Sequence, residues 1–239
     1  AWVGTGVVVG AVVLGARGIA PLVAFGLGAF AATAALRQLV LAVRASRRRG
    51  ESALRGLIGR TNGGMVVHLG VVLVAVAFAA ASSYASSDQF RLAPGESATL
   101  AGRTVTYEGM NEPVAGGQKT VHSARVRVDG AQVYEPALST FPNASQTIGT
   151  PSVRTGLDED LYLTLVAVAE SPDDPAVIGV IVQPLVAWLW IGGGVMALGT
   201  LLAAWPGERR RRVVEPAAEA VPADSDDDRS EVPTPAGMA

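Results

Sequence analysis

Two histidines carry the chemistry that this sequence offers, and their surroundings differ. His68 lies in the run Gly63-Gly64-Met65-Val66-Val67-His68-Leu69-Gly70-Val71, which stays apolar to Ala81. That run is long enough to cross a bilayer core of about 30 Å at about 1.5 Å per residue. A titratable side chain inside a membrane helix is costly unless protein, water or a metal faces it, so His68 is a functional-site candidate. From the residue alone two readings stand. Neutral imidazole binds haem iron well, and a buried haem tolerates an apolar wall, so His68 could be an axial ligand. It could equally hydrogen-bond a neighbouring helix or the interface. Gly64 and Gly70 are small enough to let another helix or a flat ligand approach. His122, in Val121-His122-Ser123-Ala124-Arg125, reads as an exposed strand histidine.

Other chemistries find no support. With no cysteine there is no zinc-thiolate site, no disulfide and no Cys-x-x-Cys-His attachment motif, so any haem is held non-covalently. No Ser-His-Asp set, phosphate-cradling loop or metal-ligand spacing stands out, and no residue is assigned a catalytic role. A six-coordinate haem needs a second ligand, and the spans offer no other histidine.

The elements that must position His68 follow from where charge is missing. The chain is 49% hydrophobic and 17% charged, and almost no charge falls in 1–36, 63–81 and 184–205. Apolar spans therefore alternate with polar segments. Residues 1–43 read as two transmembrane helices, the first short and the second opened by Pro21. The first run starts at once with no basic n-region, so no secretory signal is expected and the stretch reads like the interior of a larger membrane protein. Residues 44–62 form a basic loop with Arg44, Arg47, Arg48, Arg49, Arg55 and Arg60 against Glu51, expected on the cytoplasmic side. No aromatics interleave these arginines, so nucleic-acid binding is not expected. Residues 63–84 are the span carrying His68. Residues 184–205 are a last span, with Trp188 and Trp190 at one interface and Trp205 at the other. Arg209 to Arg212 follow it, and the tail 206–239, rich in Pro, Ala, Asp and Glu, is expected to be disordered and cytoplasmic.

Residues 85–182 change period. Short apolar–polar alternations predict strands near 98–100, 103–108, 120–128, 132–138, 160–169 and 176–182, with 139–159 as a long surface loop. Asp129-Gly130 is the strongest hairpin signal. The expected fold is a membrane protein with about four α-helical transmembrane spans and an inserted small extracytoplasmic antiparallel β domain, a barrel or sandwich. A cofactor-free, membrane-anchored interaction protein built on such a β domain fits the same pattern. A transporter subunit fits less well, since the spans carry no paired acids and no inverted repeat.

Three stretches, in order, resemble the C-terminal part of the cytochrome c maturation protein F family, the haem-lyase component of bacterial cytochrome c assembly. Gly63-Gly64-Met65-Val66-Val67-His68-Leu69-Gly70 is similar to that family's Gly-Gly-x-x-x-His-x-Gly helix. Leu92-x-Pro94-Gly95-Glu96, Tyr107-Glu108-Gly109 and Asp160-Leu161-Tyr162-Leu163 look like its periplasmic domain. Pro184-Leu185-Val186-Ala187-Trp188-Leu189-Trp190-Ile191-Gly192-Gly193, with Met196 and Gly199, looks like its last helix. The resemblance covers roughly residues 60–205.

The resemblance implies that His68 is an axial ligand to the iron of a membrane haem b, thought to help reduce the incoming haem before it is attached to apocytochrome c. It implies partners among the other cytochrome c maturation components, a haem chaperone and apocytochrome c. It also implies a multi-pass protein of the bacterial plasma (inner) membrane. The family's tryptophan-rich outer loop, its two external histidines and its other membrane histidine have no counterpart here. Its Pro-Glu-Lys-Arg-x-Tyr pattern is replaced by Tyr134-Glu135-Pro136-Ala137-Leu138-Ser139-Thr140-Phe141. Alone, this sequence is therefore not expected to be a complete catalyst.

Overall fold

The computed structural model describes residues 2–13, 15–141, 144–171 and 174–205. The tail expected to be disordered lies outside the described residues. Among the described residues there are five helices: α1 Trp2–Val13, α2 Ile19–Arg48, α3 Ala53–Leu57, α4 Arg60–Ser83 and α5 Val186–Ala204. Each long helix is an apolar run, and in hydrocarbon only a helix satisfies every backbone group within its own segment. α2, α4 and α5 are long and apolar enough to cross a membrane; α1 has 12 residues and is shorter.

The helix boundaries also differ from the expectation. α2 runs to Arg48, through part of the basic segment, and α4 starts at Arg60 rather than 63. Helical hydrogen bonding continues past the apolar run because Arg and Ser are no obstacle to a helix. His68 thus lies about two turns inside α4 rather than about one.

Between α4 and α5 the described residues form eleven strands: β1 Ser86–Leu92, β2 Ser97–Leu100, β3 Arg103–Met110, β4 Val114–Gly116, β5 Lys119–Val128, β6 Gln132–Tyr134, β7 Ala137–Phe141, β8 Ala144–Thr150, β9 Ser152–Arg154, β10 Glu159–Ala167 and β11 Ala176–Pro184. All pairings are antiparallel. One sheet has the order β1-β11-β10-β9 and the other β2-β3-β5-β7-β8, with β4 and β6 also on β5. Both sheets feed one core that includes Val105, Tyr107, Val126, Leu163, Ile178 and Val180. The buried positions alternate along β3 and β10, as period-2 strands facing one core must.

Two expectations are corrected here. The segment 139–159 is not a long loop: most of it is β8, β9 and the ends of their neighbours. Its apolar residues are sparse because β8 and β9 lie at the sheet edges, where little is buried. The run 132–138 is broken into β6 and β7 at Pro136, which has no N–H to give a ladder. The Asp129-Gly130 hairpin forms between β5 and β6, with φ of 49° and 69° at the two residues and the Ala131 N–H donating to Val128 O. Paired left-handed residues are what a type I′ turn demands.

The chain reaches the β domain from α4 and leaves it into α5. β1 and β11 are neighbours, from Ser86 opposite Val182 to Leu92 opposite Ala176. That pairing draws the end of α4 and the start of α5 together. Below it the two helices pack through a stripe of small residues. Gly63, Val67, Gly70 and Val74, spaced by four, three and four, face Ala203, Gly199, Met196 and Gly192. A Cβ on Gly199 would lie 2.6 Å from the Val67 backbone nitrogen, and one on Gly192 would lie 2.7 Å from a Val74 methyl. Without a hydrophobic drive between helices in lipid, such close backbone approach is a main source of association.

Candidate functional site

The stripe that packs α4 on α5 fixes which way His68 faces. Val67 meets Gly199, and His68 follows it about 100° further round the helix. α2 covers another flank, where a Cβ on Gly28 would lie 2.7 Å from a Val76 methyl and 3.4 Å from one of Val72. The flank left open carries His68, Val71, Ala75, Phe78 and Ser82, all exposed, with Phe78 64% exposed. Between His68 near one end and the Ser82 hydroxyl at the other, the strip is apolar.

The imidazole is held. His68 Nδ1 lies 2.7 Å from the Gly64 carbonyl oxygen, one turn back. A carbonyl only accepts, so Nδ1 carries the proton and the Nε2 lone pair stays available. A backbone carbonyl on one ring nitrogen is the arrangement that fixes a ligating histidine's tautomer and raises its basicity. Gly64 adds no bulk beside it: a Cβ there would meet nothing within 4 Å. The residues present therefore fit one axial position of a haem iron. Among the described residues no group of three or more His, Asp or Glu side chains could hold a metal ion by itself.

His122 is not part of this site. It stands on β5 opposite Leu138 and is half-buried rather than exposed. It lines a hollow of about 300 Å³ with Met110, Asn111, Glu112 and Val168, which accounts for its partial cover. The structure does not bring His68 and His122 together: one lies on a membrane-length helix and the other on a β strand.

A charged cluster that sequence reading missed ties the two sheets together. Asp129 accepts from the Thr104 N–H at 3.0 Å, from Arg154 Nη1 at 2.9 Å and from Arg103 Nη1 at 3.2 Å, while Arg103 Nε pairs with Glu159. The Thr104 N–H, then the Arg154 and Arg103 guanidinium groups, hold the Asp129 carboxyl below the usual carboxylate range. The Glu159 and Asp129 carboxylates push the Arg103 guanidinium up. Its only trace in the sequence was the Asp-Gly turn. The next loop joins the last helix: Leu185 N–H donates to Asp158 O at 2.9 Å and Trp188 Nε1 to Leu157 O at 3.0 Å.

The chain is similar to known proteins over most of its length. It is 34% identical over 173 residues to the cytochrome c-type biogenesis protein CcmF of Pseudomonas fluorescens, a match covering 69% of this chain and 25% of that protein. It is 28% identical over 176 residues to CcmF of Pseudomonas aeruginosa, covering 70% and 26%. The chain belongs to the CcmF family. The probable cytochrome c-type biogenesis protein NrfE of Escherichia coli is 29% identical over 149 residues, covering 61% of this chain and 27% of that protein. The solved structure of the cytochrome c haem lyase CcmF matches 86% of this chain and 33% of its own length, with a TM-score of 0.68 at 24% identity, a likeness of fold. No family model matches. The chain spans about a quarter of the length of the curated CcmF relatives it matches.

Proposed function

We propose that this chain is a module of a cytochrome c maturation haem lyase in which His68 supplies one axial ligand to a membrane haem b. The observation that carries the reading is the His68–Gly64 hydrogen bond, which leaves Nε2 free on the open flank of α4. The haem would lie along that flank, against Val71, Ala75 and Phe78, and a second ligand would come from outside this chain. Bound haem would supply a redox centre; the chain's own part is to hold the iron, exclude water and fix the imidazole. The β domain would lie on the extracytoplasmic side and contact the haem chaperone, apocytochrome c and other maturation components, with the C-terminus cytoplasmic. The Arg-rich connection at the opposite end of α4 supports that orientation.

The test is haem content. The chain, co-purified with the rest of its haem lyase, is compared with His68→Ala by pyridine haemochrome and Soret absorbance. Loss of haem b in the variant, with the complex still assembled, is expected. Unchanged haem b would overturn the ligand assignment, and no Soret band in any preparation would favour a cofactor-free anchor for the β domain.

A further inference from the structure

The connection between α2 and α4 is a built surface rather than a slack linker. Ser46 is fully buried, its Oγ 2.9 Å from Glu51 Oε2 and 3.1 Å from the Ser52 carbonyl oxygen. α3 is pressed onto α2 so closely that a Cβ on Gly56 would lie 2.9 Å from Ala42 O. Asn62 Nδ2 donates to Gly56 O at 2.8 Å, and the Gly59 N–H donates to Leu202 O at 3.0 Å. These bonds fasten the turn to the ends of three membrane-length helices, at the end of the bundle away from the β domain.

What the turn presents is cationic and apolar together. Arg44, Arg47 and Arg48, spaced by three and four residues on α2, share one face. They and Arg60 are exposed and make no ion pair among the described residues. The acid nearest in sequence, Glu51, is already engaged by Arg49 at 3.1 Å and by Ser46. Its carboxyl is held low by Arg49 first and then Ser46. Beside these charges Leu54 stands 59% exposed at the tip of α3.

We infer that this turn is an interfacial anchor for anionic phospholipid. The arginines meet headgroup phosphates while Leu54 enters the boundary of the acyl region. Charge complementarity commits the surface to this occupant. The layer at the ends of membrane-crossing helices is headgroup, and unpaired arginines there gain most from an anionic one. The inference needs the helices to cross a bilayer but does not need a haem at His68.

The test uses the full chain in mixed micelles of phosphatidylglycerol and phosphatidylcholine in equal amounts, read by native mass spectrometry. At about five-fold per arginine near an anionic surface, bound phosphatidylglycerol is expected to exceed phosphatidylcholine by ten-fold or more at low salt. The triple change Arg44→Gln, Arg47→Gln, Arg48→Gln is expected to lower that ratio by about five-fold or more, with Arg60 still in place. Arg91→Gln, on the exposed part of β1, should leave it unchanged. Circular dichroism confirms that each variant folds. No preference in the parent chain, an unchanged ratio in the triple variant, or an equal fall with Arg91→Gln would overturn the inference. So would heparin binding lost in the triple variant without any lipid preference, which would point instead to a soluble acidic partner.

Discussion

Gly70 of α4 and Gly192 of α5 fill one gap from opposite sides. A Cβ on Gly70 would lie 2.7 Å from the Gly192 carbonyl oxygen, and one on Gly192 would lie 3.0 Å from that of Gly70. Neither helix can accept a methyl group without moving, and α4 is the helix that carries His68. Gly70→Ala and Gly192→Ala are each expected to cost about 1–3 kcal/mol, the usual range for overpacking. Gly194→Ala, where a Cβ would meet nothing within 4 Å, should stay within about 0.5 kcal/mol of the parent. Thermal unfolding in detergent compares the three; equal losses would mean that the stripe does not hold the helices.

Gly64 offers a cleaner probe of the open flank than His68 itself. A Cβ there meets no other part of the described structure, and it sits one turn from the imidazole. Gly64→Leu is expected to fold with stability within about 0.5 kcal/mol of the parent. If a haem lies on that flank, the variant loses haem b by steric exclusion. Full haem content at normal stability would place the cofactor elsewhere.

The Tyr107 hydroxyl is the one buried side-chain polar atom with no partner among the described residues, and burial pushes its phenol pKa up. An unpaired buried hydroxyl costs about 1–3 kcal/mol. Tyr107→Phe keeps the ring in the core and removes that cost, so the variant is expected to gain about 1 kcal/mol or to be neutral. A loss of more than about 1 kcal/mol in urea unfolding would mean that an internal water serves the hydroxyl.

Asp129 sets a pH dependence. Its native carboxyl pKa is lowered, so its contribution is complete above the ordinary value of about 4 and is lost as pH falls from there through the native value. The unfolding midpoint is expected to drop as pH falls below about 4. Asp129→Asn should be less stable by about 1 kcal/mol at pH 7 and show a flatter acid limb. An identical acid limb in the variant would assign the loss to other carboxylates.

Much of this molecule was legible in the sequence, because its strongest signals are local. Apolar runs without charge determine membrane-length helices, since no other backbone form satisfies its own hydrogen bonds in lipid. Alternation along β3, β5 and β10 determined those strands, because a strand facing one core buries alternate residues. Asp129-Gly130 determined its turn through backbone conformation. The Gly-Gly-x-x-x-His-x-Gly pattern pointed to the family before any coordinates. Edge strands β8 and β9 were not legible, because they bury too little to show a period. The Asp129–Arg103–Arg154–Glu159 cluster was not legible either, since its members lie far apart in the chain and meet only when the two sheets close over the core. Tertiary structure alone decided that β1 pairs with β11, that the glycines of α4 and α5 interlock, and therefore that His68 faces the open flank with Nδ1 on Gly64. A helix sequence sets the spacing of its residues, but only its neighbours decide which of its sides is left uncovered.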